Sequence, residues 1–227
     1  MYLANRLHKE LDIHFPSSLV GQEIPYKVLR TALAKILKPL DARIRVIQDE
    51  ELRMKRGSKR QYCAVSGYFD TGKKKAATMI ILHVSPSKKT FKMTKSRYNN
   101  LRFIFSQIVQ HEFIHKSQYM FRPEQSDRLV KVYYSNKLSK ERLKTIEYLS
   151  TWCEIEAYAH DIAMEINNYY STLNPSSVIK HIDEYRNLHS YRIYRTTFEG
   201  TEWSRLKKSL LKKVWRWLPC AQPPIPI

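Results

Sequence analysis

The sequence predicts an α+β fold that is mainly helical, with a small and mostly antiparallel sheet packed beside one long helix. Three observations carry the expectation. Residues 98–120 repeat apolar side chains at helical spacing, residues 42–48 and 76–84 have the alternating or aliphatic runs of short strands, and residues 140–170 read as a second long helix behind a Ser139 cap. At 227 residues with 43% hydrophobic content the chain suits one compact domain with a terminal extension, and no repeat period is visible.

The segment before Leu19 is poorly marked. In LVGQEIPYKVLRTALAKILKPL, Pro25 suits a first helical turn, Val28, Leu29, Leu33, Ile36 and Leu37 recur at helical spacing, and Pro39 ends the element. ARIRVIQ (42–48) alternates small or apolar residues with polar ones, and QYCAVSGYF (61–69) is a second strand across a basic loop. After the turn DTGKKK, AATMIILHV (76–84) is the strongest strand of the chain, followed by the SPSKKT loop and the long helix. FRPEQSDRLVKVYYSNKL reads mostly as loop, with a short strand at 130–134. The helix over 140–170 stops before Asn174-Pro175, and a cap at Ser176 or Ser177 opens another that runs to Leu188. A basic amphipathic helix follows from Thr201, with Trp203, Leu206, Leu210, Val214 and Trp217 on one side, and the tail PCAQPPIPI is irregular. The expected organisation is a compact domain over 1–172, a basic helical extension over 173–218 packed on it, and a tail over 219–227.

The N-terminus MYLANRLHKELDIHF is charged, and no apolar run reaches the length of a signal-peptide core or a membrane span. The expectation is a cytoplasmic protein without a transmembrane segment. Cys63, Cys153 and Cys220 are odd in number and widely spaced, which argues against a disulfide framework and against a cysteine-built zinc site. The net charge of +19 is clustered in blocks at Arg53–Arg60, Lys73–Lys75, Lys88–Arg97 and Arg205–Arg216. Such blocks form a solvated face or meet a polyanion, and no nucleic-acid fold signature accompanies them.

The pattern H-E-x-x-H falls at His111, Glu112 and His115 on the long helix. It arises by chance in about one chain in a hundred of this length. Leu101, Ile104, Ile108, His111, Glu112 and His115 share about 100° of helical arc, so two imidazoles one turn apart continue the apolar stripe. Histidines at i and i+4 supply two nitrogens to a zinc ion, and the Glu between them can take a proton from bound water. The plain alternative is a pair of hydrogen-bonded core histidines.

A zinc peptidase needs a third protein ligand. The extended pattern with Gly and a third His is absent, since Gln118 and Phe121 stand at those positions. YLSTWCEIEAYAHDIA offers a carboxylate on a later helix. Glu154 and Glu156 lie about 200° apart on a helix, so only one can face the metal. Leu149, Trp152, Ala159 and Ala163 fall on the side of Glu156, whereas Glu147, Asp161 and Glu165 fall on that of Glu154, which makes Glu156 the expected inward residue.

H-E-x-x-H on one helix with a ligand Glu on a later one resembles the gluzincin zinc metallopeptidases, and the run Glu154–Ala159 resembles the E-x-E-A pattern of small members such as the ImmA/IrrE-type peptidases. The resemblance implies one Zn2+ per chain held by His111, His115 and Glu156, with Glu112 as catalytic base in a zinc metalloendopeptidase. Tyr158 departs from the residue usual after the E-A pair, and the aromatic-Ala pair that follows is out of register. His160 would orient a ligand, and His181, Tyr185 or His189 would stabilise the oxyanion. By the same resemblance a protein or peptide substrate lies extended along an edge strand, for which Met79, Ile80, Ile81 and Leu82 are the counterpart. The rival expectation is a basic nucleic-acid-binding protein, or a virion or assembly component, on a metallopeptidase-like fold.

Overall fold

A computed structural model describes residues 2–48, 63–70, 77–85, 89–122 and 139–221. The basic residues at 53–60, 73–75 and 88 and the strand expected at 130–134 lie outside these. The protein is a mainly helical α+β fold, as its sequence predicts. It forms two compact units, one up to Phe113 and one from Ile114 to Pro223. Residues 173–218, expected as an extension, belong to the second unit. No helix among the described residues is long and apolar enough to cross a membrane.

The first unit holds α1 (Tyr2–His14), β1 (Glu23–Pro25), α2 (Tyr26–Leu37), β2 (Ala42–Gln48), β3 (Cys63–Asp70), β4 (Ala77–Val84) and β5 (Thr90–Lys92), followed by α3 (Lys95–Phe121), which continues past the division. The poorly marked N-terminus is α1, whose Leu7 and Leu11 repeat one turn apart and are fully buried. In α2, Leu29, Leu33, Ile36 and Leu37 face the core as expected, but Val28 is exposed. β1 and β5, each three residues long, form a separate antiparallel pair.

The main sheet runs β2-β4-β3, with β2 parallel and β3 antiparallel to β4. β4 is therefore the central strand, and Met79, Ile80, Ile81 and Leu82 do not lie on an edge, contrary to expectation. The physical reason is the strength of its apolar run. Thr78, Ile80, Leu82 and Val84 are buried, and a strand that hydrophobic gains most with a neighbour on both sides. Among the described residues, β2 and β3 are the edges.

β3 passes very close to α3. Gly67 pairs with Ile80, and a Cβ built on it would lie 2.8 Å from both Glu112 Cγ and Ile108 Cγ2, inside van der Waals contact. Only a residue without a side chain lets the strand lie here.

α3 spans 27 residues and starts at Lys95, where the Thr94 hydroxyl accepts the Arg97 N–H at 3.2 Å. No residue from 101 to 116 is exposed, so the helix is enclosed rather than amphipathic. The expected stripe survives as a line of half-buried residues through Ile104, Ile108, His111 and His115. Arg102, 4% exposed, donates to Asp12 at 2.6 Å and to the Tyr98 hydroxyl at 2.9 Å, and Tyr98 donates to the Phe15 carbonyl at 2.6 Å. A buried guanidinium thus has partners on α1 and on its own helix.

The second unit contains α4 (Lys140–Leu149), α5 (Trp152–Tyr169), α6 (Pro175–Lys180), α7 (His189–Thr197) and α8 (Gly200–Trp217). The single helix expected over 140–170 is two. The Ser150 hydroxyl turns back to Ile146 O at 2.7 Å, and Thr151 caps α5 by accepting the Glu154 N–H at 3.3 Å. Thr151-x-x-Glu154 is a capping-box signature, so this break was written in the sequence. The helix expected to reach Leu188 also ends early, at Lys180, and α7 begins instead where buried Glu165 accepts from the Ser190 N–H at 3.1 Å and from its hydroxyl at 2.9 Å. On α8, Trp203, Leu206, Leu210 and Val214 are buried as expected, and Lys213 joins them.

Gly67→Val should lower the urea midpoint at unchanged m-value, by the equivalent of about 1–3 kcal/mol for an overpacked contact. An unaltered midpoint would show that β3 and α3 do not meet this closely.

Candidate metal centre

Helical spacing stacks His111 and His115 one turn apart on α3, and the Thr151 cap sets the phase at which α5 presents Glu154. His115 Nε2 lies 3.2 Å from Glu154 Oε1. One nitrogen or oxygen from each of His111, His115 and Glu154 falls within 4.8 Å of the others. Glu154 is 6% exposed, and both histidines are half-buried.

The donor set suits zinc: two imidazole nitrogens and one carboxylate oxygen, in a site that desolvates the carboxylate. Bonds of about 2.0–2.1 Å to a tetrahedral zinc set neighbouring donors about 3.3 Å apart, close to the His115–Glu154 separation. Such a set leaves a fourth position for water or substrate.

The third member corrects an expectation: the structure brings Glu154, not Glu156, to the histidines. Glu156 turns towards α8 and accepts from Lys213 Nζ at 3.4 Å, while the same ammonium sits 3.5 Å from the centroid of the Trp152 ring. Burial pushes the Lys213 ammonium below the usual lysine range, with the Glu156 carboxylate pulling the other way. Two physical facts defeat the phase expectation. Leu149 belongs to a different helix from Glu156, and no residue of α5 from 153 to 166 is exposed, so the helix has no wet face to which Glu154 could be assigned.

Glu112 is 6% exposed and lies against Gly67 of β3, beside the histidines in sequence but outside the donor set. The remaining expected residues go elsewhere. His160 is buried edge-on against Trp217, at 5.1 Å between ring centroids. His181 pairs with Glu184 at 3.2 Å, Tyr185 packs against Tyr170, and His189 is exposed at the start of α7. Gln118 went unassigned in the sequence. It is 7% exposed, lies 2.9 Å from His115 Nδ1 through its Oε1, and donates to the Cys153 carbonyl at 3.2 Å. Its i+3 offset from His115 is the signal that could have found it.

Comparisons with family models, with curated proteins and with solved structures find no match to the chain.

Glu154→Ala should abolish stoichiometric metal uptake, whereas Glu156→Ala should retain the metal and cost about 1–3 kcal/mol through the stranded Lys213. Elemental analysis and urea unfolding of the two variants check this, and the opposite ranking would return the ligand role to Glu156.

Proposed function

We propose that the chain is a zinc metallopeptidase of the gluzincin type in which His111, His115 and Glu154 hold the ion and Glu112 is the general base. The observation that carries the reading is the gathering of those three donors within 4.8 Å on two enclosed helices, with a buried carboxylate next to one of them in sequence and outside the set. Zinc in such a set supplies Lewis acidity, polarising a carbonyl and bringing the pKa of bound water to about 7.

Glu112 accepts the proton of the attacking water and delivers it to the leaving amine. Its contact with the backbone at Gly67 limits the rotamers it can take, which suits a base that must meet one atom. The same contact brings a sheet edge to the base. Among the described residues the outer side of β3 has no strand partner, so an extended peptide can add there by β-augmentation, in the role first expected of β4.

A second reading, that the chain also meets a polyanion, rests on α8. Arg205, Lys208, Lys212 and Arg216 recur at helical spacing, are exposed, and have no acidic partner among the described residues. Lys207 and Lys213 do not belong to this stripe, since Asp183 holds the first at 2.5 Å and Glu156 the second. Four phosphate contacts would cost about 100-fold in affinity over a fourfold rise in salt.

Glu112→Gln should keep zinc stoichiometry and fold while lowering the turnover of a peptide substrate about 10²–10⁴-fold. Undiminished hydrolysis, or loss of the metal, would remove Glu112 from this role. Changing Arg205, Lys208, Lys212 and Arg216 together to Gln should abolish salt-sensitive binding to duplex DNA with zinc content unchanged, and equal binding by the variant would leave the stripe as solvated surface.

A further inference from the structure

Resting on the metal reading above, we infer that Gln118 is a positioning residue that fixes the tautomer of His115 and presents its Nε2 to the metal. Every atom of the relay is buried or half-buried and lies in one compact unit. Gln118 sits one turn beyond His115 on α3, and its side chain bridges to the backbone of α5 immediately before Glu154.

The two ends of a glutamine amide differ, and here the surroundings decide which end goes where. The Cys153 carbonyl can only accept, so the atom that meets it at 3.2 Å must be the NH2 group. The carbonyl oxygen is then the atom left facing His115 Nδ1 at 2.9 Å, and it too can only accept. Pairing with Gln118 therefore requires the His115 hydrogen on Nδ1. That leaves the lone pair of the neutral ring on Nε2, the nitrogen that faces Glu154 at 3.2 Å.

The bridge has a second consequence. Because one amide spans from the imidazole to the residue preceding Glu154, it ties the orientation of one ligand to the backbone that carries another. Ligand histidines in metal sites are commonly held through the ring nitrogen that does not bind, and loss of that partner weakens metal binding about 10–100-fold. Here the partner comes from the motif helix itself, extending the pattern to H-E-x-x-H-x-x-Q.

The roles of tautomer and tether separate in two variants. Gln118→Met keeps the length and removes both hydrogen bonds, whereas Gln118→Glu still accepts from His115 Nδ1–H and cannot donate to Cys153. Zinc affinity is read by chelator competition on the full chain, and the His115 tautomer by 15N-labelled histidine NMR of metal-free protein at alkaline pH. The expected result is Nδ1–H in the wild type, its loss in Gln118→Met with zinc binding weakened about 10–100-fold, and near-wild-type affinity in Gln118→Glu. Equal weakening in both variants would assign Gln118 to helix tethering alone and overturn the inference, as would wild-type affinity in Gln118→Met. Should Gln118→Met fail to fold, a wild-type spectrum showing His115 protonated at Nε2 overturns it by itself. Wild-type protein that takes up no zinc while keeping the Nδ1–H tautomer would instead overturn the metal reading beneath it, and the inference with it.

Discussion

Two helices with no solvated face govern the arrangement of the site. From 101 to 116 in α3 and from 153 to 166 in α5 no residue is exposed, yet both stretches carry charged side chains. A polar group taken out of water needs a partner, and several of these residues are held by specific neighbours. Arg102 goes to Asp12 and Tyr98, Glu165 to Ser190 and Glu154 to His115, and just past the first stretch the buried Gln118 goes to His115 and Cys153. The candidate metal centre is one member of this set, made from the same necessity as the others.

The same enclosure marks where the sequence was legible. H-E-x-x-H could be placed on a long helix because the apolar run around it is dense enough to need no knowledge of its neighbours, and β2 emerged with its expected bounds because alternation over 42–48 is a local property. The carboxylate could not be chosen that way. Separating Glu154 from Glu156 by phase presumes one wet side, and α5 is covered by α4, α7 and α8. Which acid meets a histidine and which meets Lys213 depends on where those helices lie, and that is not encoded within any one of them. The break at Ser150 and Thr151 was legible, through the capping box, and weighs on the choice because it removes Leu149 from the helix of Glu156.

Strand order failed for a related reason. A strongly apolar strand signals burial, and in a three-stranded sheet the most buried place is the middle, so the run that looked best suited to face a peptide is the one least able to. Among the described residues β3 is one of two edges, with a less conspicuous sequence, and its Gly67 records contact with the helix rather than the weakness of the strand.

The pairing of Lys213 with Glu156 bears on how the second unit comes apart. Three of the four acids on α5 point in different directions: Glu154 towards α3, Glu156 towards α8 and Glu165 towards α7. Peeling away either helix would break one of these pairings and uncover the apolar residues that α5 buries beneath it, so neither α7 nor α8 can fray without cost to the helix that bears Glu154. Cooperativity in this unit is thus built from electrostatic debts held at its centre, and a chain shortened before Gly200 would lose a side of its core rather than an appendage.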